Sequence, residues 1–414
     1  MSDDPGRLRL VIVAPSLDGG DVGETYSAFR WVEALCAVAE VTVLASVRHH
    51  ARPLAEQLPD ARVVTWAEPR WLYTRFERFN AQAKPGLGHF VRRARAWIAA
   101  EQAAGRRFDI LHQILPQAMR HRVVWAGLGI PYVIGPLGGG LDTPPGFAAE
   151  VGGGAGLGRL RELDRWRLRN DPWLRDGYRR AGLILGVAPY VGDRLREAGL
   201  GAVPFRPMLE RGYGDAMPPP RMRDAEPGRM TLLHVGRAIR TKGLRDTIRA
   251  LALLPDLPGV TLVSAGDGED LAACRREAAD LGVGARVRFL GRIPRAQVDE
   301  EYAAADVFCF PSFREPMGGV FFEAMAHGLP IVTAARGGPD FIVDDSCGLK
   351  VPATDPQQFA RDIAAAIRRL AADPALRLSL GQGSLARLRS FGTWQDKADT
   401  MLGLYRDVLA GRLT

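Results

Sequence analysis

The chain has 414 residues, of which 47% are hydrophobic and 25% are charged. This composition is ordinary for a soluble globular protein and excludes a disordered or collagen-like chain, and the length favours two or three domains. The formal net charge is +8, but the basic residues follow no motif that reads bases, so we expect no nucleic-acid partner.

No apolar run approaches the roughly 18 residues that a membrane-spanning helix needs, and the polar first residues do not resemble a signal peptide. The four cysteines lie far apart and form no CxxC pair; they are Cys36, Cys274, Cys309 and Cys347. We therefore expect neither a zinc site nor a disulfide framework, and we expect a cytoplasmic protein.

Apolar runs alternate with helical stretches along the chain, which predicts parallel sheets with crossover helices. In the first half, strands are predicted at residues 7–14, 40–45, 108–112, 131–135 and 183–187. The run at 183–187 is interpreted as the last strand of this half. A glycine loop at 16–24 follows the first strand and leads into a helix over 25–38.

The composition changes at residues 204–229, where prolines, glycines and charges without a period indicate a linker. A second unit begins at residue 230, with further strands predicted at 260–266, 286–291, 306–310 and 330–334. We therefore predict an α/β protein with two Rossmann-like, doubly wound domains that face a central cleft. The expected boundaries are 1–205, a linker at 206–229, 230–392, and a closing helix within 393–414 that returns to the first domain.

The most informative stretch is FPSFREPMGGVFFEAMAHGLPIV at residues 310–332. It reads as the end of a strand, a glycine loop and a short helix, with Glu315 before the helix and Glu323 inside it. Gly318 and Gly319 allow a ligand to approach the backbone, and the helix N-terminus offers free amides to a phosphate. The alternative is that Glu315 caps the helix and Glu323 is a solvated helix residue.

A second stretch, LHVGRAIRTKGL at residues 233–244, reads as strand, Gly236, basic loop and helix. Arg237 and Lys242 are cations at positions where they could hold a diphosphate, Arg237 through a bidentate fork and Lys242 as a point charge. The alternative is a basic surface loop. No D-x-D pair occurs in the chain, so we expect no metal at this site and no cofactor.

Together these stretches resemble the retaining glycosyltransferase family 4, which has the GT-B fold. The resemblance rests on the pair Glu315-x7-Glu323, the GR…KG of the basic loop, AGDGE at 265–269, ADVFCFPS at 305–312 and RGGPDFIVDDSCGLKVP at 336–352. It covers nearly all of residues 230–410 and is looser in the first half. Family members often have a histidine on the loop after the strand PYVIG, whereas this chain reads GPLGGG at 135–140.

The resemblance implies that Arg237 and Lys242 bind a donor diphosphate, that Glu315 contacts the donor sugar and that Glu323 binds the ribose. It places residues 289–293 beside the base. The donor-side candidates are Gly19, Gly20, Gly138, Gly139, Gly236, Arg237, Lys242, Gly291, Ile293, Glu315, Met317, Gly318, Gly319, Val320 and Glu323.

The candidates in the first half are open to two interpretations each. The glycines at 138–139 either offer amides to a ligand or form a tight turn, and the Gly19-Gly20 loop with Glu24 either faces the substrates or is a flexible turn. Asp142 is assigned with Glu24 to the acceptor side. His112, which ends a strand, is either a fourth catalytic candidate beside Arg237, Lys242 and Glu315 or a core histidine.

The segment Arg159–Arg180 is rich in arginine and contains Trp166 and Trp173. A basic face with tryptophans is typical of contact with an anionic membrane surface or a lipid-linked acceptor. The alternative is a solvated helical face with buried tryptophans.

The sequence therefore predicts a retaining, metal-independent glycosyltransferase. It would move a sugar from a nucleotide-diphosphate donor to a hydroxyl of a natural product, glycan or lipid-linked acceptor, in the cytoplasm or at the inner face of the membrane. Two alternatives stay open, a nucleotide-sugar 2-epimerase of the same architecture and a non-catalytic sugar-nucleotide binder.

Overall fold

The computed structural model describes residues 6–21, 23–47, 52–68, 86–151, 165–213 and 229–413. The chain divides into two compact units. The N-terminal unit comprises Met1–Gly140, Arg159–Gly212 and Gly392–Thr414, and the C-terminal unit comprises Leu141–Gly158 and Tyr213–Phe391.

The N-terminal unit contains a parallel sheet of seven strands in the order β3-β2-β1-β4-β5-β6-β7. Short runs rich in Val, Ile and Leu form its centre because such residues pack well on a sheet that is buried on both faces. The strands are β1 Arg9–Val13, β2 Glu40–Val47, β3 Arg62–Ala67, β4 Ile110–Gln113, β5 Tyr132–Leu137, β6 Leu183–Gly186 and β7 Phe205–Pro207.

The C-terminal unit contains a parallel sheet of six strands in the order β10-β9-β8-β11-β12-β13. Each unit packs helices against its sheet around its own hydrophobic core. The α/β class with two doubly wound units is thus confirmed. The strands are β8 Met230–Val235, β9 Val260–Ala265, β10 Val287–Gly291, β11 Val307–Phe310, β12 Ile331–Ala334 and β13 Gly348–Val351.

Thirteen α-helices with defined bounds lie in the described residues, and residues 165–170 are also helical. The helices are α1 Glu24–Val38, α2 Leu54–Gln57, α3 Leu87–Ala103, α4 Pro172–Arg179, α5 Pro189–Glu197, α6 Leu244–Ala252, α7 Leu271–Asp280, α8 Arg295–Ala304, α9 Gly319–Ala326, α10 Gly337–Ile342, α11 Pro356–Ala372, α12 Pro374–Ser390 and α13 Trp394–Leu409. None of these described helices has the length and hydropathy that crossing a bilayer requires.

Helix α13 packs in the N-terminal unit, although it follows the C-terminal unit in sequence. It begins with a capping box in which Thr393 and Asp396 satisfy each other's backbone N–H groups. Its buried face includes Ala398, Met401 and Tyr405, which lie in the core of the N-terminal unit.

The boundaries between the units differ from the expected ones in two places. The run at 183–187 is not the last strand, because Phe205–Pro207 pairs with β6 at the sheet edge, where proline is tolerated. The start of the expected linker is also packed, since the Trp31 indole N–H donates to the Glu210 carbonyl at 3.0 Å. Residues 141–151, expected in the first domain, lie in the C-terminal unit; residues 214–228 lie outside the described part of the chain.

Each sheet has a topological switch point, at which the order of successive strands along the sheet reverses. In the N-terminal unit the neighbours β1 and β4 start branches that run opposite ways across the sheet, and β8 and β11 do the same in the C-terminal unit. Loops at the carboxyl ends of such neighbouring strands leave a crevice that binds ligands in open α/β sheets. The loops after β8 and β11 are the two stretches that the sequence singled out.

Candidate functional site

The loop after β8 is shaped by glycines at which no side chain fits. Gly243 has φ 80°, and a Cβ there would lie 2.1 Å from the Pro311 carbonyl oxygen. A Cβ on Gly266, in the AGDGE turn, would lie 1.9 Å from the Gly236 carbonyl oxygen. The loops after β8, β9 and β11 therefore pack backbone against backbone, which requires glycine.

Two buried side chains donate hydrogen bonds to the backbone of the basic loop and fix its position. His234 Nε2 donates to the Lys242 carbonyl at 3.1 Å, and Ser312 Oγ donates to the Thr241 carbonyl at 3.0 Å. Complete burial lowers the pKa of His234 to about 4, so its ring is neutral at physiological pH. His234 thus supports the loop that presents Lys242.

The loop after β11 leads into α9 through Gly318, which has φ 92°. A Cβ on Gly318 would lie 2.7 Å from the Phe321 ring, so the turn is tight against the helix. Phe321 and Met325 point into the core. The first residue of α9, Gly319, is partly exposed, so the N-terminal amides of the helix can be reached by a ligand.

Lys242 and Glu315 form an ion pair between these two loops, through Lys242 Nζ and Glu315 Oε2. The pair is largely shielded from water, since the two side chains are 13% and 10% exposed. The ammonium group also lies 5.8 Å from the centre of the Phe310 ring. The structure therefore brings together two of the residues that the sequence singled out, with opposite charges that neutralise each other.

Arg237 and Glu323 differ in whether their side chains form an ion pair with a described residue. Arg237 is exposed, and its guanidinium makes no hydrogen bond or ion pair with the described residues, so it is available to an anion. Glu323, on α9, pairs with Arg295 at the start of α8 at 2.8 Å. Arg295 was not a candidate from sequence, and its position two residues after Ile293 carries no signal that would have identified it.

The donor-side candidates that remain in the C-terminal unit lie on the same edge of its sheet. Gly291 ends β10 and its carbonyl accepts from Gly266 N at 2.7 Å. Ile293 lies between β10 and α8 and is partly exposed, whereas Met317 is only 5% exposed. The Val320 carbonyl accepts from the Tyr302 hydroxyl at 3.3 Å.

The structure corrects the assignment of His112 to catalysis. His112 is fully buried in the N-terminal unit; its Nε2 donates to the Gly135 carbonyl at 2.7 Å and its Nδ1 accepts from the Tyr405 hydroxyl at 2.6 Å. Both ring nitrogens are occupied, and burial lowers the pKa of His112 to about 4. The burial and hydrogen bonds of His112 agree with the interpretation of this residue as a core histidine.

Three of the glycines expected to offer amides in the N-terminal unit have those amides engaged. Gly19 N donates to Gln57 Oε1 at 2.9 Å and Gly20 N donates to Asp18 Oδ1 at 2.9 Å. Gly138 N donates to the Gln117 carbonyl at 3.0 Å. Gly139 has φ 81°, which fits the tight-turn interpretation, and Glu24 is the exposed first residue of α1.

Asp142 does not lie in the unit that the sequence assigned it to. It belongs to the C-terminal unit, where its carbonyl accepts from Arg336 Nη2 at 3.0 Å. The expectation failed because the chain leaves the N-terminal unit at Gly140, and the glycine run at 138–140 gives no indication of where the next residues pack.

Arg240, in the same loop as Arg237, was missed. It is only 6% exposed and pairs with fully buried Asp246 at 2.6 Å. A single sequence offers no signal that separates the buried arginine of GRAIR from the exposed one. Among the described residues, no group of three or more His, Cys, Asp or Glu side chains is arranged to hold a metal ion.

The tryptophans of the basic segment are exposed, contrary to the interpretation in which they are buried. Trp166 is 58% exposed and Trp173 is 72% exposed. Between them Asp171 caps α4 by accepting from the N–H groups of Trp173 and Leu174. Asn170, Pro172, Asp176 and Arg180 are exposed as well, and we call five of the exposed side chains, Arg165, Trp166, Arg169, Trp173 and Arg179, the tryptophan surface; residues 159–164 of the segment lie outside the described part of the chain.

A family model described as "Glycosyl transferases group 1" matches residues 222–383. The lipopolysaccharide core biosynthesis glycosyltransferase LpsE of Rhizobium meliloti (strain 1021) is 39% identical over 152 residues, which are 36% of this chain and 42% of LpsE. The chain spans only about two-fifths of the length of the curated relatives that it matches.

Two solved structures share the fold of nearly the whole chain. Sucrose-phosphate synthase from Thermosynechococcus elongatus has a TM-score of 0.65 at 23% identity, over 98% of this chain and 100% of that one. Anabaena Alr3699/HepE in complex with UDP-glucose has a TM-score of 0.60 at 17% identity, over 96% and 100%. The fold is thus the two-unit GT-B fold. The similarity to the glycosyl transferases group 1 family lies in residues 222–383 of this chain.

Proposed function

We propose that this protein is a glycosyltransferase that moves a sugar from a nucleoside-diphosphate donor to an acceptor hydroxyl with retention of anomeric configuration. One observation carries the proposal. The Lys242–Glu315 pair joins the loops after β8 and β11, beside the partly exposed N-terminus of α9. A cation, a carboxylate and free amides together suit a sugar diphosphate, in which charge and hydroxyl groups are adjacent.

The donor diphosphate would bind to Lys242, Arg237 and the amides of Gly318 and Gly319. Lys242 has three N–H donors, so it can keep Glu315 as a partner while it donates to a phosphate oxygen. Arg237 pairs with none of the described residues, so it loses no partner when the diphosphate binds, and its planar guanidinium can donate two parallel hydrogen bonds. These donors would stabilise the charge that grows on the leaving diphosphate, which is the largest single term in many such reactions.

The sugar would be positioned by Glu315, whose carboxylate accepts from its hydroxyl groups, and the ribose by Glu323 after exchange of its partner Arg295. Glu315 is assigned to positioning rather than to attack, and the acceptor hydroxyl would approach from the face that the diphosphate leaves. We propose that the cations and amides meet the phosphate charge without a metal ion.

For the acceptor, we propose a lipid-linked molecule at the inner face of a membrane. The tryptophan surface supports this, because arginines and exposed indole rings suit an anionic bilayer interface. LpsE, by its name, acts in lipopolysaccharide core biosynthesis. A reducing, cytoplasmic site agrees with the four unpaired cysteines.

The donor can be identified by thermal shift with UDP-, GDP-, ADP- and dTDP-sugars, because a ligand of the folded state raises the melting temperature. UDP-glucose belongs in the panel because HepE holds it. For the donor found, we expect Arg237→Ala to weaken binding about tenfold, through the loss of a charge-assisted hydrogen bond. Isothermal titration calorimetry measures the change.

Arg276→Ala is the matched control, since Arg276 is an exposed arginine of α7 and should bind donor as the wild type does. Proton NMR of the donor with and without acceptors then separates the activities. Conversion of the donor to its 2-epimer without acceptor, or a panel in which no member binds, would contradict the proposed transferase.

The membrane contact has its own test. We expect Trp166→Ser with Trp173→Ser to reduce co-sedimentation with phosphatidylglycerol vesicles severalfold, because each indole loses its interfacial contact. Binding of the wild type should weaken as salt is raised. Equal sedimentation of variant and wild type would exclude the tryptophan surface as the contact.

A further inference from the structure

Residues 141–151, which we call the strap, follow β5 and the GPLGGG loop in sequence but are built into the C-terminal unit. Phe147 is fully buried there, with its ring centre 4.2 Å from that of Phe313 and 5.7 Å from that of Phe359. A Cβ on Gly146 would lie 2.4 Å from the Thr354 carbonyl oxygen. The strap is therefore part of this core.

The strap supplies a carboxylate to Arg240. Glu150 Oε2 accepts from Arg240 Nε at 2.7 Å and lies 2.6 Å from its Nη2, while Glu150 Oε1 lies 3.0 Å from Arg249 Nη2. Burial opposes the ionised form of Glu150, but hydrogen bonds from Arg249 and Arg240 outweigh it and lower the pKa of this carboxyl.

Arg240 is enclosed on its other sides as well. Its guanidinium lies 5.4 Å from the centre of the Phe147 ring and 5.2 Å from that of Phe313, and it donates to both carboxylate oxygens of Asp246, at 2.6 and 2.8 Å. Two of its four enclosing groups, Glu150 and Phe147, come from the strap. Arg240 begins the short 3-10 turn Arg240–Lys242, so its anchoring fixes the backbone two residues before Lys242.

The strap also contacts the loop that carries Glu315, the carboxylate partner of Lys242 in the ion pair. Thr143 Oγ1 accepts from Arg314 Nη1 at 2.9 Å, and Arg314 directly precedes Glu315. A Cβ on Gly337 would lie 2.7 Å from both the Glu315 carbonyl oxygen and Leu141 Cδ1, so the strap packs close to the backbone of Glu315.

We propose that the strap is a positioning element of the donor site, in which Glu150, through Arg240, and Thr143, through Arg314, fix the backbone that carries Lys242 and Glu315. The inference rests on the proposed function. A loop held in its binding geometry loses less conformational entropy when the ligand binds. Loosening either anchor therefore weakens diphosphate binding, although neither Glu150 nor Thr143 contacts the ligand.

The test measures the dissociation constant of the nucleoside diphosphate, among UDP, GDP, ADP and dTDP, that stabilises the wild type most. We expect Glu150→Gln to raise it about five- to tenfold and Thr143→Val about threefold. Thr143→Ser keeps the acceptor oxygen and should restore the wild-type value. Glu300→Gln, at an exposed position of α8, is the matched control and should have no effect.

Each titration is made well below the melting temperature of its variant, where a purely structural role lowers the melting temperature but leaves the dissociation constant unchanged. If Glu150→Gln does not fold, the Thr143 pair decides the matter. Variants that bind within twofold of a wild type that binds overturn the role of the strap alone. A wild type that binds none of the diphosphates overturns the proposed function, and the role of the strap with it.

Discussion

Replacing Lys242 by glutamine is expected to lower kcat about a hundred- to a thousandfold, with a smaller loss of donor affinity. In the proposed reaction the phosphate oxygens gain negative charge as the sugar leaves, so Lys242 beside them would stabilise the transition state more than the bound donor. The substitution also leaves the carboxylate of Glu315, which is only 10% exposed, without its cation.

The measurement is the steady-state rate of nucleotide release with the donor and acceptor that the wild type uses. Lys350→Gln is the matched control, because Lys350 pairs with Asp340 at 2.8 Å and surface pairs of this kind contribute little. Glu315→Gln should also reduce kcat. A Lys242→Gln enzyme that keeps the wild-type kcat would remove Lys242 from the reaction.

Lowering the pH from 7 to 4 should decrease the free energy of unfolding by about 3 kcal/mol through His112 alone. The ordinary pKa of 6.5 falls to about 4 in the folded protein because His112 is buried. Below pH 6.5 the unfolded chain therefore binds a proton that the folded chain does not bind. Stability that is complete above pH 6.5 is lost as the pH approaches 4.

Urea unfolding at pH 7 and at pH 5 measures this dependence. His112→Asn should be less stable than the wild type at pH 7 but should lose less stability on acidification. The reason is that the unfolded variant no longer binds a proton at this position. His89→Asn, on the exposed face of α3, is the matched control. Equal pH dependence in His112→Asn and wild type would show that His112 is not the group responsible.

The periodic parts of the fold were predictable because each buried strand is a short apolar run bounded by turn residues. Most strands of both sheets were predicted in this way. Strand Phe205–Pro207 was not, because two prolines within four residues indicate a linker unless the strand lies at a sheet edge. The strap could not be predicted either, since its contacts to Arg240 and Arg249 span 90 and 99 residues.

The positions of the candidate donor-side residues were partly predictable, because glycines and charges at strand ends are encoded locally. Local pattern places Lys242 and Glu315 on facing loops, and the structure joins them. The local pattern does not encode how deeply a side chain is buried or which distant residue it pairs with. The sequence alone could not choose between the two roles of His112, because its hydrogen-bond partner Tyr405 lies 293 residues away.

The placement of α13 has a consequence for synthesis on the ribosome. Met401 and Tyr405 complete the core around β1 and β4, and Val408 touches Gly182, since a Cβ there would lie 2.6 Å from Val408 Cγ1. The first sheet therefore keeps apolar surface uncovered until α13 has been translated. A nonsense codon near residue 395 would leave all thirteen described strands in the product, yet this nascent chain would be prone to chaperone retention and proteolysis.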